Sequence, residues 1–212
     1  MSALWPDSDA TQELLVAARG GDVAAVNNLM ERHRKALRRM VALRMDRQIA
    51  GRVDASDIVQ DVLVEANRRL ADFIDDGKMP FHLWLRQLAK DRLIDMHRRH
   101  HAQRRSVERE QPIKADGNMD RSSMDLEGQL SDPQLTPAAA NIRKEQRGLF
   151  WEALDDLCEQ DREVILMRHA EHLGNSEVAE ALDLSPAAAG MRYLRAMRRL
   201  RAILKEDDSQ DE

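Results

Sequence analysis

The sequence predicts an all-α protein in which a flexible linker joins two small helical domains. Aromatic residues make up only 3% of the 212 residues. Strands favour aromatic and β-branched side chains, so this composition argues against a large β-sandwich or barrel. Apolar residues recur at helical spacing in two blocks, residues 11–105 and 146–205. Residues 106–145 contain three prolines and no sustained period, which predicts a linker that is largely disordered when free.

The first block divides into four predicted helices. A short helix in "TQELLVAARGG" ends at Gly20 and Gly21, and Asp22 caps a longer one. The third helix, "DASDIVQDVLVEANRRLADF", is capped by Asp54 or Ser56. After a loop in "IDDGKMP", the fourth helix is "FHLWLRQLAKDRLIDMHRRHHAQRR". The predicted buried stripe of the second helix comprises Val26, Leu29, Met30, His33, Leu37, Met40 and Val41, and that of the third comprises Ile58, Val59, Val62, Leu63, Ala66, Leu70 and Phe73.

The second block ends in a helix-turn-helix pattern. "QRGLFWEALDDL" and "QDREVILMRHAEHL" form two helices around a break near residues 159–161. "SEVAEALDLSPAAAGMRYLRAMRRLR" then predicts a helix, a tight turn and a second helix. Ser185 is the expected cap of that last helix, and Pro186 occupies its first position, where proline fits best. In proteins with this pattern the second helix enters the major groove of DNA.

Charge and cysteine usage narrow the class of protein. The formal net charge is −5, yet residues 86–105 hold seven Lys or Arg against two Asp, and residues 192–205 hold six and no acid. Local basic stripes of this kind are typical of nucleic-acid binding. Cys158 is the only cysteine, so an internal disulfide and a thiolate zinc cluster are excluded. The chain has no secretion signal and no apolar run long enough for membrane insertion, so we expect a cytoplasmic protein.

A helical wheel separates the buried and exposed sides of the last helix. The buried stripe starts at Ala189 and continues through Tyr193, Ala196, Leu200 and Ile203. The arginines of an adjacent face, taken alone, suit a solvated surface as well as DNA. The preceding helix and tight turn favour DNA. The predicted DNA-contacting residues on this face are Ala188, Met191, Arg192, Arg195 and Arg199.

In this order the features resemble the extracytoplasmic-function sigma factors, small two-domain members of the sigma-70-type family of bacterial RNA polymerase. The resemblance covers residues 11–105 and 146–204. Four stretches carry it: "DASDIVQDVLVEA", "MPFHLWLRQLAKDRLIDMHRR", "LDDLCEQDREVILMRH" and the closing helix-turn-helix. The implied function is a promoter-specificity subunit, with core RNA polymerase, promoter DNA and an anti-sigma factor as partners. The implied fold is a region 2-like domain over residues 11–105 and a region 4-like domain over residues 146–205.

The resemblance also implies roles for particular residues. The polar face of the third helix, Asp57, Gln60, Asp61 and Glu65, would dock on the clamp helices of the largest polymerase subunit, although composition alone favours a solvated face. The fourth helix and the loop before it would bind and melt the −10 element. The cations there are Lys78, Lys90, Arg92, Arg98 and Arg99. Single-strand binding also needs a surface for unstacked bases, but the spacing of Trp84 favours core packing.

The second block would bind the −35 element and the flap of the second-largest subunit. Three departures from the family pattern bear on these roles. Asp91 stands where the family usually has asparagine, with Lys90 and Arg92 as candidate ion-pair partners. Gly190 replaces a usual basic residue, which leaves the −35 sequence open. Cys158 occupies a common proline position, where we favour an inert small residue over a redox role.

Other functional classes remain as alternatives. The main one is a free-standing helix-turn-helix transcription regulator that binds DNA as a dimer without polymerase. The acidic third helix speaks against it. His97 and His101 lie four apart and could face one metal ion, but two histidines without further ligands predict no metal site. The sequence has no phosphate-binding loop or nucleophile motif, so we expect neither an enzyme nor a cofactor.

Overall fold

A computed structural model describes residues 4–45, 53–107 and 148–208, and the regular elements within these ranges are helical, as the sequence predicts. Side chains are described up to residue 99 in the second range and up to residue 205 in the third. The chain divides into two compact units, Met1–Met119 and Asp120–Glu212. All but the first two residues of the predicted linker, 106–145, lie outside the described residues, so its disorder stays a prediction.

The described part of the first unit is a helical bundle. Its helices are α1 (Ser8–Arg19), α2 (Val23–Ala42), α3 (Ala55–Asp76) and α4 (Phe81–Val107). Helix α2 packs against α1, α3 and α4, and α3 also packs against α4. Helix α4 ends at Val107, two residues past the predicted end of the domain at residue 105.

Aspartates cap the first three helices of this bundle. Asp7 accepts a hydrogen bond from the Asp9 amide at 2.7 Å, so α1 begins three residues earlier than the apolar pattern indicated. Asp22 caps α2 as expected. Of the two candidate caps for α3, Asp54 is the one that accepts from a backbone amide, at 2.6 Å, and this hydrogen bond lowers the pKa of its carboxyl.

The predicted apolar stripes form the core of the first unit. Leu29, Leu37, Met40 and Val41 of α2 are fully buried, and the stripe of α3 is buried from Ile58 to Leu70. At the ends of the stripes, Val26 and Phe73 are only half-buried. Periodicity therefore predicted the inward faces correctly, because each helix has one side that the bundle can cover.

A group of rings closes the bundle beside α4. His33 is 1% exposed, its Nδ1 lies 2.9 Å from the Leu29 carbonyl oxygen, and its ring meets Phe81 edge-on at a centroid distance of 4.9 Å. Trp5, from the segment before α1, is buried and lies 6.4 Å from the His33 ring and 5.7 Å from the His82 ring. Burial of His33 lowers its pKa to about 4 because the charged imidazolium loses its hydration.

The second unit contains a short helical bundle that ends in the helix-turn-helix. Residues 148–155 form α5, Glu159–Ile165 form α6, Asn175–Ala181 form α7 and Pro186–Asp208 form α8. Helix α6 continues directly into a π-helical turn over Leu166–Ala170. The break between α5 and α6 falls at residues 156–158, so its predicted position at 159–161 is wrong by about three residues. Residue 158 takes the N-cap position, which places Glu159 inside the first turn.

The final helix, α8, packs against α6 and α7 through the apolar stripe that its residue spacing predicts. Ala189, Ala196 and Leu200 are buried, and Tyr193 and Ile203 are half-buried at its margins. The Ser185 hydroxyl accepts a hydrogen bond from the Ala188 amide at 3.2 Å, which confirms the predicted cap. The hydropathy of the helices, over the residues that the structure describes, is too low for any of them to span a bilayer.

Gly190 lies within α8 without a steric requirement for glycine. A Cβ atom added there would lie 3.7 Å from Oδ1 of Asn175, which is ordinary van der Waals contact. Close packing between α7 and α8 therefore does not explain this residue. Glycine remains unfavourable in a helix interior because it loses more backbone freedom on folding than alanine does.

The burial of His33 predicts a specific acid sensitivity of the first unit. The unfolded chain binds a proton at this residue below about pH 6.5, whereas the folded unit keeps it neutral down to about 4. Since the unfolded state binds more protons between these values, lowering the pH should reduce the free energy of unfolding, by up to about 3 kcal/mol at pH 4. His33→Asn should flatten this part of the profile. Urea unfolding followed by Trp5 and Trp84 fluorescence in a Trp151→Phe background measures it, and an unchanged profile would contradict the assignment.

Gly190→Ala should stabilise the second unit by about 0.5–1 kcal/mol, because alanine is the better helix former and fits the available space. Slower hydrogen exchange of the α8 amides is the expected signature. Gly21→Ala is the matched control: Gly21 has a φ of 86°, which an L-residue tolerates poorly, so that change should destabilise the first unit. Faster exchange in Gly190→Ala would mean that the glycine is required after all.

Candidate functional site

The polar side chains of α3 lie together on its outer side. Asp57, Gln60 and Asp61 are exposed and Glu65 is half-buried, opposite the buried stripe that begins at Ile58. Their spacing of three, four and eight residues places them on one side of the helix. We call this set the acidic face, and the structure brings its four predicted members together.

Arginines from two neighbouring helices reach the acidic face. Arg34 of α2 donates from Nη1 to Oε1 of Gln60 at 3.1 Å and from Nε to Glu31 at 2.7 Å. Arg92 of α4 forms an ion pair with Asp61. The acidic face is thus a mixed-charge surface built from three helices, rather than the purely acidic helix side that the sequence suggested.

Arg92 contacts the acidic face in the free chain. It was expected to contact −10 DNA or to pair with Asp91, and the structure instead places it against Asp61. The two side chains are 36% and 53% exposed, so water screens the pair and it stabilises the fold by about 1 kcal/mol or less. A binding partner could therefore replace either side of the pair at small cost.

The other predicted −10 cations do not form one surface. Lys78, in the loop before α4, pairs with Asp76 at 2.5 Å, and Lys90 is half-buried. Arg98 and Arg99 are exposed on α4. At about 100° per residue, Arg99 lies opposite Lys90 and on the same side as Arg92, while Arg98 lies between Lys90 and Arg99. A single DNA strand could follow only part of this set.

Trp84 is part of the aromatic group rather than a free platform. Its ring stacks on Phe73 at a centroid distance of 4.5 Å and an angle of 25°, and Phe81 lies 5.6 Å away. The residue remains half-buried, so one edge reaches solvent. The packing agrees with the core position that its spacing favoured.

A tight turn sets the direction in which α8 leaves the domain. Asp183 adopts a left-handed conformation with a φ of 53°, and Ser185 then caps α8. Asn175, the first residue of α7, donates from Nδ2 to the Pro186 carbonyl oxygen at 2.9 Å. The start of α7 is thereby tied to the start of α8, which holds the two helices of the motif at one angle.

The predicted DNA-contacting residues of α8 differ in how far they are exposed and in whether they contact another helix. Met191 is 51% exposed and Arg195 is exposed, while Ala188 and Arg192 are half-buried. Arg199 forms an ion pair with Asp161, a residue of α6 that is only 5% exposed. This contact raises the pKa of Arg199 through the hydrogen bond and the carboxylate charge. Arg199 therefore joins α8 to α6, and the free outer side of α8 starts with Met191 and Arg195.

Two outward residues were missed by the sequence reasoning. Leu194 is 49% exposed and Arg198 is exposed. Both lie almost opposite Ala189 and Ala196 on a helical wheel, so the periodicity contained the signal. The predicted contact face did not include these two residues.

A polar contact between the π-helical turn and α8 was also missed. Nε2 of His169 lies 2.9 Å from the Tyr193 hydroxyl oxygen, and the Arg168 guanidinium lies 5.5 Å from the centre of the same ring. The pKa of His169 is lowered mainly by partial burial of its ring and, to a smaller extent, by the charges of Arg168 and His172. These residues are close only because the π turn redirects the chain before the helix-turn-helix, and helical spacing carries no sign of that.

Within the described ranges, no three His, Cys, Asp or Glu side chains are placed to hold a metal ion. His97 is half-buried, and the side chain of His101 lies outside those ranges. Cys158 is an exposed thiol at the N-cap of α6 and makes no side-chain capping bond.

Family comparisons match both units. The profile for sigma-70 region 2 matches residues 29–103, and the profile for sigma-70 region 4 matches residues 147–200. Together the two matches cover more than half of the chain. They coincide with the bundle that carries the acidic face and with the unit that carries the helix-turn-helix.

Two relatives are named as sigma factors. The RNA polymerase sigma factor CnrH of Cupriavidus metallidurans is 26% identical over 201 residues, which is 94% of this chain and 96% of the relative. The probable RNA polymerase sigma factor RfaY of Xanthomonas campestris pv. campestris is 28% identical over 157 residues. That match covers 74% of this chain and 34% of RfaY, so the chain spans about a third of the length of this relative.

Solved structures share the fold. CnrH in complex with the cytosolic domain of CnrY matches with a TM-score of 0.57 and 24% identity, over 93% of this chain and 99% of the other. The sigma factor RpoE, in a co-crystal structure with the anti-sigma factor NepR from Bartonella quintana, matches with a TM-score of 0.50 and 19% identity, over 94% and 98% of the two chains.

The first unit thus carries region 2 and the second unit carries region 4 of one family, in the expected order. The chain belongs to the sigma-70 family of RNA polymerase sigma factors.

Proposed function

We propose that this sigma factor docks on core RNA polymerase through its acidic face and directs transcription initiation by binding −10 and −35 promoter elements. Sigma factors are regulatory subunits rather than enzymes, so phosphodiester chemistry belongs to the polymerase. The observation that carries the proposal is the pairing of two different surfaces in one chain. A regulator that only binds DNA needs the helix-turn-helix, but it has no use for an exposed acidic face on a separate unit.

The docking surface is the acidic face together with the arginines that hold it. Arg34 and Arg92 contact Gln60 and Asp61 in the free chain, and both contacts are exposed, so a partner can exchange them at small cost. The clamp helices of the largest polymerase subunit would supply cations for Asp57 and Asp61 and acids for the arginines. Complementary charges on this scale would raise the rate of association and the specificity.

Promoter contacts are divided between the two units. In the first unit, Lys78, Lys90, Arg98 and Arg99 are the candidates for the −10 strand, with Arg98 and Arg99 the most exposed. In the second unit, the −35 element meets the outer side of α8, where Arg195 can reach a phosphate or a guanine edge. The region 4-like unit would also contact the flap of the second-largest subunit.

An anti-sigma factor is a further proposed partner. RpoE of Bartonella quintana has been solved with one, and this chain shares the RpoE fold. An anti-sigma factor that covers the acidic face or α8 would block polymerase or promoter binding by occupying the same side chains.

The decisive experiment compares the chain with and without core polymerase. In gel filtration, the chain should comigrate with core polymerase. Run-off transcription on a genomic promoter library should yield defined start sites only when the chain and core polymerase are both present. A stable dimer of the free chain that binds a defined duplex tightly would instead support the free-standing regulator.

Asp61→Lys should weaken core binding by about 30-fold, because a cation then faces both Arg92 and the cations of the partner. Glu13→Lys is the matched control, since it makes the same change in net charge on the exposed side of α1 and should leave core binding unaltered. Competition binding to core with a labelled wild-type chain measures both. Equal affinities for the two variants would refute docking at this face.

Arg195→Ala and Arg199→Ala should act in different ways. Arg195 is exposed on the outer side of α8 and donates from Nε to the Met191 carbonyl oxygen of the same helix at 3.3 Å. Because it joins no other helix in that contact, its loss should weaken −35-dependent binding by the holoenzyme about ten-fold or more with little change in Tm. Arg199 neutralises the buried Asp161 carboxylate, so its loss should lower the Tm of the second unit. Gel-shift titrations and thermal unfolding monitor the two effects. If Arg195→Ala binds like the wild type, the proposed contact side of α8 is incorrect.

A further inference from the structure

The outer side of α8 exposes two large apolar side chains within one turn of each other. Met191 is 51% exposed and Leu194 is 49% exposed, whereas the core positions of the same helix, Ala189 and Ala196, are completely buried. Neither side chain contributes to the core of the second unit. Any surface that binds this side of α8 would therefore have to accept apolar contact.

Charged side chains surround this apolar pair. Arg195 and Arg198 are exposed on the same side of α8, and Arg201 follows one turn later. An apolar protein groove would have to bury or pair these guanidinium groups, which is costly. A duplex groove supplies phosphates for the arginines on both of its edges and presents the base edges between them. The charge pattern therefore favours DNA over an apolar protein surface.

Residues 186–191, at the start of α8, cannot form side-chain hydrogen bonds to bases. Residues 186–191 read "PAAAGM" and contain no side-chain donor. Just before this stretch, the Ser185 hydroxyl oxygen accepts from the Ala188 amide as the helix cap, and just after it the Tyr193 hydroxyl oxygen lies 2.9 Å from Nε2 of His169. In a helix-turn-helix the N-terminal residues of the second helix are those that contact base edges. Reading by this part of α8 must then depend on apolar contact.

Only one base offers an apolar group in the major groove. Thymine carries a C5-methyl group there, whereas the edges of the other three bases present hydrogen-bond donors and acceptors. Flexible methionine side chains adapt well to such small apolar surfaces. A Met191 side chain that projects into the groove would therefore discriminate thymine from cytosine or uracil at the same position.

We propose that Met191, supported by Leu194, determines −35 specificity by packing on thymine C5-methyl groups, while Arg195 and Arg198 hold the phosphates. This inference rests on the proposed function, since it assumes that α8 lies in the major groove of the −35 element. It adds a requirement for A·T pairs within the element, at the positions that the first two turns of α8 reach.

The test replaces thymine by deoxyuridine, which removes the methyl group and leaves base pairing intact. Holoenzyme assembled from core polymerase and the full chain is titrated on a promoter from the run-off library and on the same promoter with uracil throughout its −35 element. The wild type should bind the uracil promoter about four-fold more weakly for each methyl group that Met191 contacts. Met191→Ala should bind the thymine promoter more weakly and should no longer distinguish the two promoters.

Leu149→Ala is the matched control variant. Leu149 is an exposed apolar residue of the same unit, 38% exposed, and lies on α5 outside the helix-turn-helix. This variant should retain the full uracil penalty. Because Met191 and Leu149 are both exposed, neither substitution should change Tm, and thermal unfolding verifies that.

The outcomes separate this inference from the proposed function. If the wild type binds both promoters equally while Arg195→Ala still weakens −35-dependent binding, the methyl contact is wrong and the sigma function stands. If Met191→Ala still binds the uracil promoter more weakly than the thymine promoter, Met191 does not contact the methyl groups, and the sigma function again stands. Met191 and Leu194 would then be candidates for contact with a protein partner. If no variant shows −35-dependent binding at all, the inference and the −35 role of α8 fail together.

Discussion

Burial of one apolar stripe per helix is the constraint on which both units depend. In α3 the stripe from Ile58 to Leu70 faces α2 and α4, so the acidic face has to point outward. In α8 the burial of Ala189, Ala196 and Leu200 turns Met191 and Leu194 toward solvent in the same way. Since burial of apolar area is the dominant stabilising term, the proposed binding surfaces lie on the sides of the helices that the core does not cover.

Ion pairs between helices then change the character of those surfaces. The acidic face carries Arg34 and Arg92 from its two neighbours, and Arg199 is drawn from the expected DNA side of α8 toward Asp161. The two kinds of pair differ in energy. The Arg92–Asp61 pair is open to water and easily exchanged, whereas Asp161 is buried and would be left as an uncompensated charge without its arginine. One contact suits a surface that exchanges partners, and the other suits a structural brace.

The helix-turn-helix illustrates how local geometry prepares a binding element. The cap at Ser185, the left-handed Asp183 and the bond from Asn175 to the Pro186 carbonyl fix the start of α8. The contact between His169 and Tyr193 adds a support further along the same helix. A helix held at several points loses little freedom when it enters a groove, so more of its contact energy appears as affinity.

The sequence by itself determined most helices, the caps at Asp22 and Ser185 and the inward stripes, because each of these depends on residues within a few turns of one another. It located the acidic face and the arginine-rich helix for the same reason. It also determined the family, because the order of four motifs along the chain is a property of the sequence. Only the tertiary structure decided which charges pair, since Arg92 and Asp61 are 31 residues apart in the chain and Arg199 and Asp161 are 38 apart. Such pairs depend on how helices cross, and local spacing holds no information about a crossing.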